Sequence, residues 1–571
     1  MNQPLQKQLL QQFQSYDWGT LYESIKNVKQ DTTKPIETQF QLAFKAMLLI
    51  SWWSDNFYSK QLLSLFPRII KDPLVHFAVT YGYICLGEAK TFKRYLKFTP
   101  KNYPVWMKNY LEIEILARSF KFKTQVIQVK KLIPKNQYPK DYIKIALLQS
   151  LEHERADISY LKEYLQEINL IEDNDPLSVA LCIRVGLLDI NSADTTLSPL
   201  LLSKKARYQL LNSNEVIESL KTYDQLVQTK LLDINSLNYW LTTSVSIPQG
   251  KDSLIARANY ALNLAPDSLY VSGSVASYAL IHLYINEEYL AAYNLVQKYL
   301  DYLKLTPTKA IKNVQIFFRY IIILFNWQQE NQELYVKIPN QKELQVFGES
   351  HSLSLSNINT TLNNQEYHCS TSFIIGIKMY HLANSDSNYI SSFMLEHLKK
   401  IQPNADMLFT IGEIDTRPSE GIWQVHTKKN KDIDTLINDT VSGYIKFLEE
   451  NLKDKNPASI TIQGVPAPNY EFKDEFDPID HKGFLEMIRK VNTKLQNETL
   501  QKGWNFLDIY SATVADDGKS NNKYHIDTIH LKPSFYQEAD KWLIKPEPKE
   551  QSKPTTIDFS EYQTVSLGKP N

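Results

Sequence analysis

The hydrophobic period of this chain changes once, near Tyr335, and that change limits it to two differently built halves. Before it, apolar residues recur at spacings of three and four, as in Phe40, Phe44, Met47 and Leu48 and again in Ile143, Ala146, Leu147 and Leu151. That is the spacing of one face of a helix. Prolines punctuate the stretch at Pro73, Pro104, Pro139 and Pro176, at separations of 31, 35 and 37 residues. A helix-pair repeat has about this period, because one helical hairpin cannot bury its own apolar face and must stack on neighbours. After Tyr335, short β-like runs (Leu344–Phe347, Met407–Ile411, Ser459–Gln463, Trp504–Ile509) alternate with helical stretches (Tyr389–Ile401, Asp432–Lys453, His481–Leu500). Such alternation predicts a mostly parallel sheet covered by helices on both faces, with reactive groups gathered at the carboxyl ends of the strands. The expected division is therefore an all-α region over 1–335, an α/β domain over 336–546 and a polar, proline-containing tail over 547–571. A chain of 571 residues is too long for one compact core, and only 16 glycines favour helices over turn-rich β architecture.

Charge and cysteine content exclude several classes of function. Lys+Arg and Asp+Glu both number 63, so no net charge draws the chain to nucleic acid or to an anionic membrane. Cys85, Cys182 and Cys369 form no CxxC pair, which argues against a disulfide framework and a cysteine-based zinc site. The first residues, MNQPLQKQLLQQFQSYDW, lack the apolar core of a signal peptide, and no run reaches ~18 apolar residues. A cytoplasmic protein without a membrane span is the expectation. The longest apolar runs, Ala46–Trp53 and Tyr320–Trp327, read as buried helix segments.

Within the first half, Ala258–Leu303 is the clearest unit: ALNLAPDS closes one helix, Pro266 starts the next, and Ala291 and Ala292 supply small residues where helices meet. This unit resembles a tetratricopeptide repeat. The resemblance implies a curved helical surface able to hold a polymer or a protein partner.

In the second half, each strand runs into a small-residue or polar cluster. Leu344–Phe347 leads into Gly348-Glu349-Ser350-His351-Ser352, Met407–Ile411 into Gly412-Glu413-Ile414-Asp415-Thr416-Arg417, and Ser459–Gln463 into Gly464-Val465-Pro466; Asp527-Thr528-Ile529-His530 follows near the end. This order resembles the SGNH, or GDSL-like, serine hydrolases, over about 200 residues. The resemblance implies a flavodoxin-like, five-stranded, mostly parallel sheet. It also implies Ser350 as nucleophile, His530 as base, Asp527 as the residue orienting that base, and the N–H groups of Ser350 and Gly376 as the oxyanion hole. The chemistry is coherent, because a serine hydroxyl needs a base within hydrogen-bond reach and the base needs an acidic partner to hold its tautomer.

Two departures stand out. Glu349 replaces the usual aspartate before the nucleophile, and Ile414 stands where the family places its oxyanion asparagine. His351, Gly412, Glu413, Asp415 and Arg417 are further candidates for lining the pocket or binding substrate, with a brace at the strand end as the alternative role for the three charged groups. Eight of the eleven histidines lie between His351 and His530, but without an HxH or HExxH spacing, so no metal is expected. Cys369 reads as a small buried apolar residue. The function implied is acyl-ester chemistry through an acyl-enzyme, either O-acetyl (acyl) transfer to a carbohydrate hydroxyl or hydrolysis of an ester on one. No tightly bound cofactor is expected, and acetyl-CoA would be the acyl donor of a transferase. The alternative is a non-catalytic helical scaffold carrying an idle SGNH-like domain.

Overall fold

The computed structural model describes residues 199–547, except 229–233, 252, 265–268, 301–308, 386–387 and 471–479, together with 63, 69–70, 73–85, 89–101, 103, 105–118 and 176–188. The helical periodicity around Phe40 and Ile143, the prolines Pro104, Pro139 and Pro266, and most of the expected tail lie outside the described residues.

Every regular element among the described residues of the first half is a helix. Its helices are α1 (Pro73–Cys85), α2 (Ala89–Lys97), α3 (Val105–Arg118), α4 (Pro176–Arg184), α5 (Pro199–Leu211), α6 (Val216–Gln228), α7 (Ile234–Ser246), α8 (Pro248–Lys251), α9 (Leu254–Leu264), α10 (Leu269–Ile285), α11 (Tyr289–Tyr299) and α12 (Lys309–Glu330). Pro73, Pro176, Pro199 and Pro248 each open a helix, where the missing N–H costs nothing because the first-turn donors have no intrahelical partner. Helices pack on their neighbours in the chain, α5 on α6, α9 on α10 and α10 on α11, while α12 returns to pack on α10. Of the two alanines expected at a helix contact, Ala292 is fully buried and Ala291 is exposed, so only the first sits where helices meet.

The second half is built on a seven-stranded mixed sheet, larger than the five-stranded one expected. Its strands are β1 (Lys342–Gly348), β2 (Asn359–Leu362), β3 (Gln365–Phe373), β4 (Asp406–Thr410), β5 (Ser459–Gln463), β6 (Asn505–Leu507) and β7 (Leu543–Ile544), in the order β2-β3-β1-β4-β5-β6-β7. Strands β3, β1, β4, β5 and β6 run parallel, and the added strands β2 and β7 pair antiparallel at the two edges. Between and after the strands lie α13 (Met379–Ala383), α14 (Tyr389–Leu398), α15 (Gly421–Lys429), α16 (Ile433–Leu452), α17 (His481–Gln501), α18 (Ile509–Thr513) and α19 (Pro533–Gln537).

Alternation along the strands sorts the core into two layers. Phe347, Phe409, Ile462 and Phe506 face one side, where they join Val441, Leu448, Phe484 and Val491 of α16 and α17. Leu344, Val346, Cys369, Leu408 and Leu507 face the other, with Leu355, Ile509, Phe535 and Tyr536. The first layer does not stop at the α/β region: it is continuous with Trp240, Leu280, Phe318, Tyr320 and Leu324 of the helical half. Among the described residues, no helix is long and apolar enough to cross a membrane.

Candidate active site

The first parallel strand delivers the serine. Gly348 ends β1 opposite Thr410 of β4, and a β-carbon there would collide with the Thr410 side chain, so only glycine lets the two strand ends close up. The chain then turns into one 3-10 segment, Ser350–Leu355, buried throughout. Glu349 caps it: its carboxylate accepts from the His351 N–H, and Ser352 Oγ donates to the Glu349 carbonyl at 2.7 Å.

The loop Asp527–His530 comes to the same strand edge from the far end of the chain. Asp527 Oδ1 accepts from the N–H groups of Ile529 (2.7 Å) and His530 (2.6 Å), a side-chain turn that fixes the loop without help from a helix. Asp527 Oδ2 then receives the His530 Nδ1 proton at 2.7 Å. Burial raises the Asp527 carboxyl's affinity for its proton, but the hydrogen bonds and charge of His530 more than offset that and hold it down to about 2. Two contacts stitch the loop to the serine segment: Ser354 Oγ donates to the Leu531 carbonyl at 2.6 Å, and His351 Nε2 donates to the Ile529 carbonyl at 3.1 Å. The outcome is a hydrogen-bonded chain, Asp527 to His530 to Ser350, in which His530 Nε2 lies 2.9 Å from Ser350 Oγ. His530 is 2 % and Ser350 7 % exposed, so the pair is screened from bulk water.

A second group of charges lies against the same serine. Ser350 Oγ is also 2.5 Å from Glu349 Oε2, and Glu349 Oε1 is 2.6 Å from His351 Nδ1. Burial would raise the Glu349 carboxyl, yet the His351 charge, with hydrogen bonds from His351 and Ser350, holds it well below the usual range. Burial would likewise lower His351, but the Glu349 charge and hydrogen bond raise it to about 9. His351 is therefore a buried imidazolium donating from both nitrogens. It is packed in the serine segment and is committed to structure on both sides, with no nitrogen left to act as a base. Beyond it, Glu413 accepts from Arg417 Nε at 2.8 Å and from Tyr470 Oη at 2.9 Å. Glu349, His351 and Glu413 offer ligand atoms within 4.8 Å of one another, the spacing of a metal site, but the cations facing these carboxylates are His351 and Arg417.

The cluster after β4 divides. Glu413 and Arg417 turn toward the site, whereas Asp415, fully buried, accepts from the N–H groups of Met379 (2.8 Å) and Tyr380 (3.1 Å) at the start of α13. Burial raises the Asp415 carboxyl to about 6 despite those hydrogen bonds. Its contacts hold the start of α13, in keeping with the bracing role that was the alternative for this cluster. Gly412 ends β4 and its carbonyl accepts the Asp415 N–H at 3.1 Å. Ile414 is buried and presents no donor. Gly376 lies in the loop after β3, the strand beside β1, at φ 65° and with open space where a side chain would stand. A cleft at this edge is lined by Glu413, Thr416, Asn469, Tyr470, Thr528 and Ile529. Ser350 and His530 are not among its lining residues, in keeping with their small exposure. Cys369 is buried on the opposite face of the sheet, its thiol pushed up by burial.

Two contributors escaped the sequence reading. Tyr470 follows a proline-rich turn after β5 and carries no motif. Tyr320, on α12 of the helical half, stacks on His530 with ring centroids 3.8 Å apart and planes 11° apart. It was legible only as one more apolar position in Tyr320–Trp327. No protein-family model matches the chain, and no curated protein matches it.

Proposed function

We propose that this chain is a serine-dependent acyl-ester enzyme of the SGNH type. The observation that carries the reading is the unbroken set of hydrogen bonds from Asp527 through His530 to Ser350. In the proposed cycle, Ser350 Oγ attacks the ester carbonyl carbon as its proton passes to His530 Nε2, and the carbonyl π pair moves onto oxygen. The oxyanion is met by the N–H groups of Ser350 and Gly376. Collapse breaks the C–O bond, and the departing alkoxide takes the proton from His530. Water or a hydroxyl group then repeats the sequence on the acyl-enzyme. Asp527 stays ionised throughout and stabilises the imidazolium.

The five parallel strands in the order β3-β1-β4-β5-β6 support a flavodoxin-like reading of the central sheet. A carbohydrate hydroxyl as the group acylated or deacylated follows from the resemblance, with the polar side chains of Glu413, Thr416, Asn469 and Tyr470 lining a narrow cleft at the same strand ends. Acetyl-CoA as donor, a cytoplasmic location and a polymer or protein on the helical surface complete the proposal. Ile414 favours a second reading, an idle domain on a helical scaffold, because a buried isoleucine offers no third oxyanion donor.

Labelling with a fluorophosphonate probe separates the two. Wild type is expected to label, Ser350→Ala and His530→Ala to lose labelling, and Asp527→Asn to react ~10³–10⁴-fold more slowly because the imidazole loses its correct tautomer. Wild type that stays unlabelled beside a reactive control esterase would put the scaffold reading first.

A further inference from the structure

We propose that Tyr320 is a positioning residue for the serine–histidine pair, so that the helical half supplies part of the catalytic centre. This rests on the acyl-enzyme reading above. Asp527 fixes His530 at one atom, Nδ1, and about that hydrogen bond the ring can still tilt. Its face is met by the Tyr320 ring at 3.8 Å and 11°, a second and independent restraint.

The phenol oxygen adds a third. Ser354 has one hydroxyl proton and gives it to the Leu531 carbonyl, so between Tyr320 and Ser354, 2.6 Å apart, the tyrosine is the donor. The relay Tyr320 to Ser354 to Leu531 thus pins the residue after His530. The same hydroxyl lies 3.2 Å from the Ser350 carbonyl. One side chain therefore touches the base and the backbone of the nucleophile, and through Ser354 it reaches the backbone next to the base. Tyr320 is itself fully buried in the continuous core, where it cannot drift.

A second contact extends the pattern to the other side of the site. Ser246, the last residue of α7, accepts from the Ile375 N–H at 3.3 Å, directly before Gly376. Its carbonyl also receives His397 Nε2 at 2.9 Å. Both the serine–histidine pair and the candidate oxyanion loop are thus braced from the helical half, and Tyr320 is the brace in direct contact with a reacting group.

The test uses the full chain, a fluorophosphonate probe, and kcat and KM for p-nitrophenyl acetate. Tyr320→Leu removes ring and hydroxyl and is expected to lower kcat and the labelling rate by ~10–100-fold, with KM within about twofold, since small misplacements of catalytic groups cost up to ~10²-fold. Tyr320→Phe restores the ring and should recover most of the rate. It should fall short of wild type by ~2–5-fold, and Ser354→Ala should show the same shortfall, on the same principle of positioning. A folded Tyr320→Leu protein with wild-type kcat, or one in which only KM rises, overturns the inference. Should that variant fail to fold, Tyr320→Phe and Ser354→Ala decide it: wild-type kcat in both overturns the inference, and the shared shortfall supports it. Wild type that neither labels nor turns over overturns the acyl-enzyme reading itself, and this inference with it.

Discussion

Ser350 Oγ has two acceptors in reach, His530 Nε2 at 2.9 Å and Glu349 Oε2 at 2.5 Å, and electrostatics decides between them as bases. Glu349 is held ionised by the buried His351 imidazolium, so a proton placed on it would be poorly kept. In the proposed mechanism the single hydroxyl proton of Ser350 turns from Glu349 to His530 Nε2, which takes it as the base. The same pairing predicts a pH dependence of stability. His351 binds its proton more tightly folded than unfolded, since its value rises from 6.5 to about 9. The resulting stabilisation is fully present below pH 6.5 and is lost as pH rises through about 9. At 1.36 kcal/mol per pH unit this is on the order of 3 kcal/mol, counted once for the Glu349–His351 pair. Chemical denaturation of wild type should therefore show stability declining between pH 6.5 and 9, while His351→Gln starts lower and stays flat across the same window. A wild-type profile as flat as the variant's would contradict a buried imidazolium.

At the scale of elements, the segment after β4 is a single brace with two ends. Asp415 anchors the start of α13, and Glu413 with Arg417 and Tyr470 anchors the strand end to the loop after β5. Arg417 is 22 % and Glu413 7 % exposed, so removing the cation leaves a largely buried carboxylate without its partner. Arg417→Met is expected to cost about 2–4 kcal/mol, somewhat below the ~3–5 kcal/mol of a fully buried pair, and Arg417→Met with Glu413→Gln to recover about half. Denaturant midpoints check both; a single variant within about 0.5 kcal/mol of wild type would mean that the pair is solvated. The sequence marked this segment through its strand-end position, and strands β1, β4, β5 and β6 were legible as apolar runs. Strand β3, QEYHCSTSF, was not: Tyr367, Cys369, Thr371 and Phe373 are buried while Glu366, Ser370 and Ser372 reach the surface, and His368 pairs with Asn359 of β2. A strand whose residues are mostly polar, as here with Gln, Glu, His, Ser, Thr and Ser, gives no apolar run. The edge strands β2 and β7, four and two residues long, are set by pairing rather than by pattern.

For the molecule as a whole, the change of period near Tyr335 marks where the secondary structure changes, while the packing runs across it. A boundary in periodicity is visible in sequence because it is local; a shared core is not, because it is made of contacts far apart in the chain. That distinction explains why Ser350, Asp527 and His530, which sit in short local motifs resembling those of a known family, could be singled out while Tyr320 could not. The join is substantial. Phe317 of α12 meets Phe373 edge-on at 6.4 Å, and Tyr239 meets Tyr389 likewise at 6.4 Å. Asn357 Nδ2 donates to the carbonyls of Tyr284 and Ile285, Gln249 Nε2 donates to Glu396, and buried residues of both halves form one apolar cluster. A chain starting at Val336 would leave Phe373 and Tyr389, 0 % and 9 % exposed in the whole protein, facing water, and would lack Tyr320 over His530. Each fully buried aromatic or aliphatic side chain so exposed forfeits about 1.5–3 kcal/mol, so a few of them exceed the net stability of an ordinary domain. That chain is expected to bind a hydrophobic dye, to melt without a cooperative transition and to escape the fluorophosphonate probe. A chain starting at Pro176 keeps α4 to α12 and should melt cooperatively and label at close to the wild-type rate. Cooperative melting with full labelling from Val336 onward would make the helical half an appended module; failure of the shorter chain with retention in the longer one would make the two halves one catalytic unit.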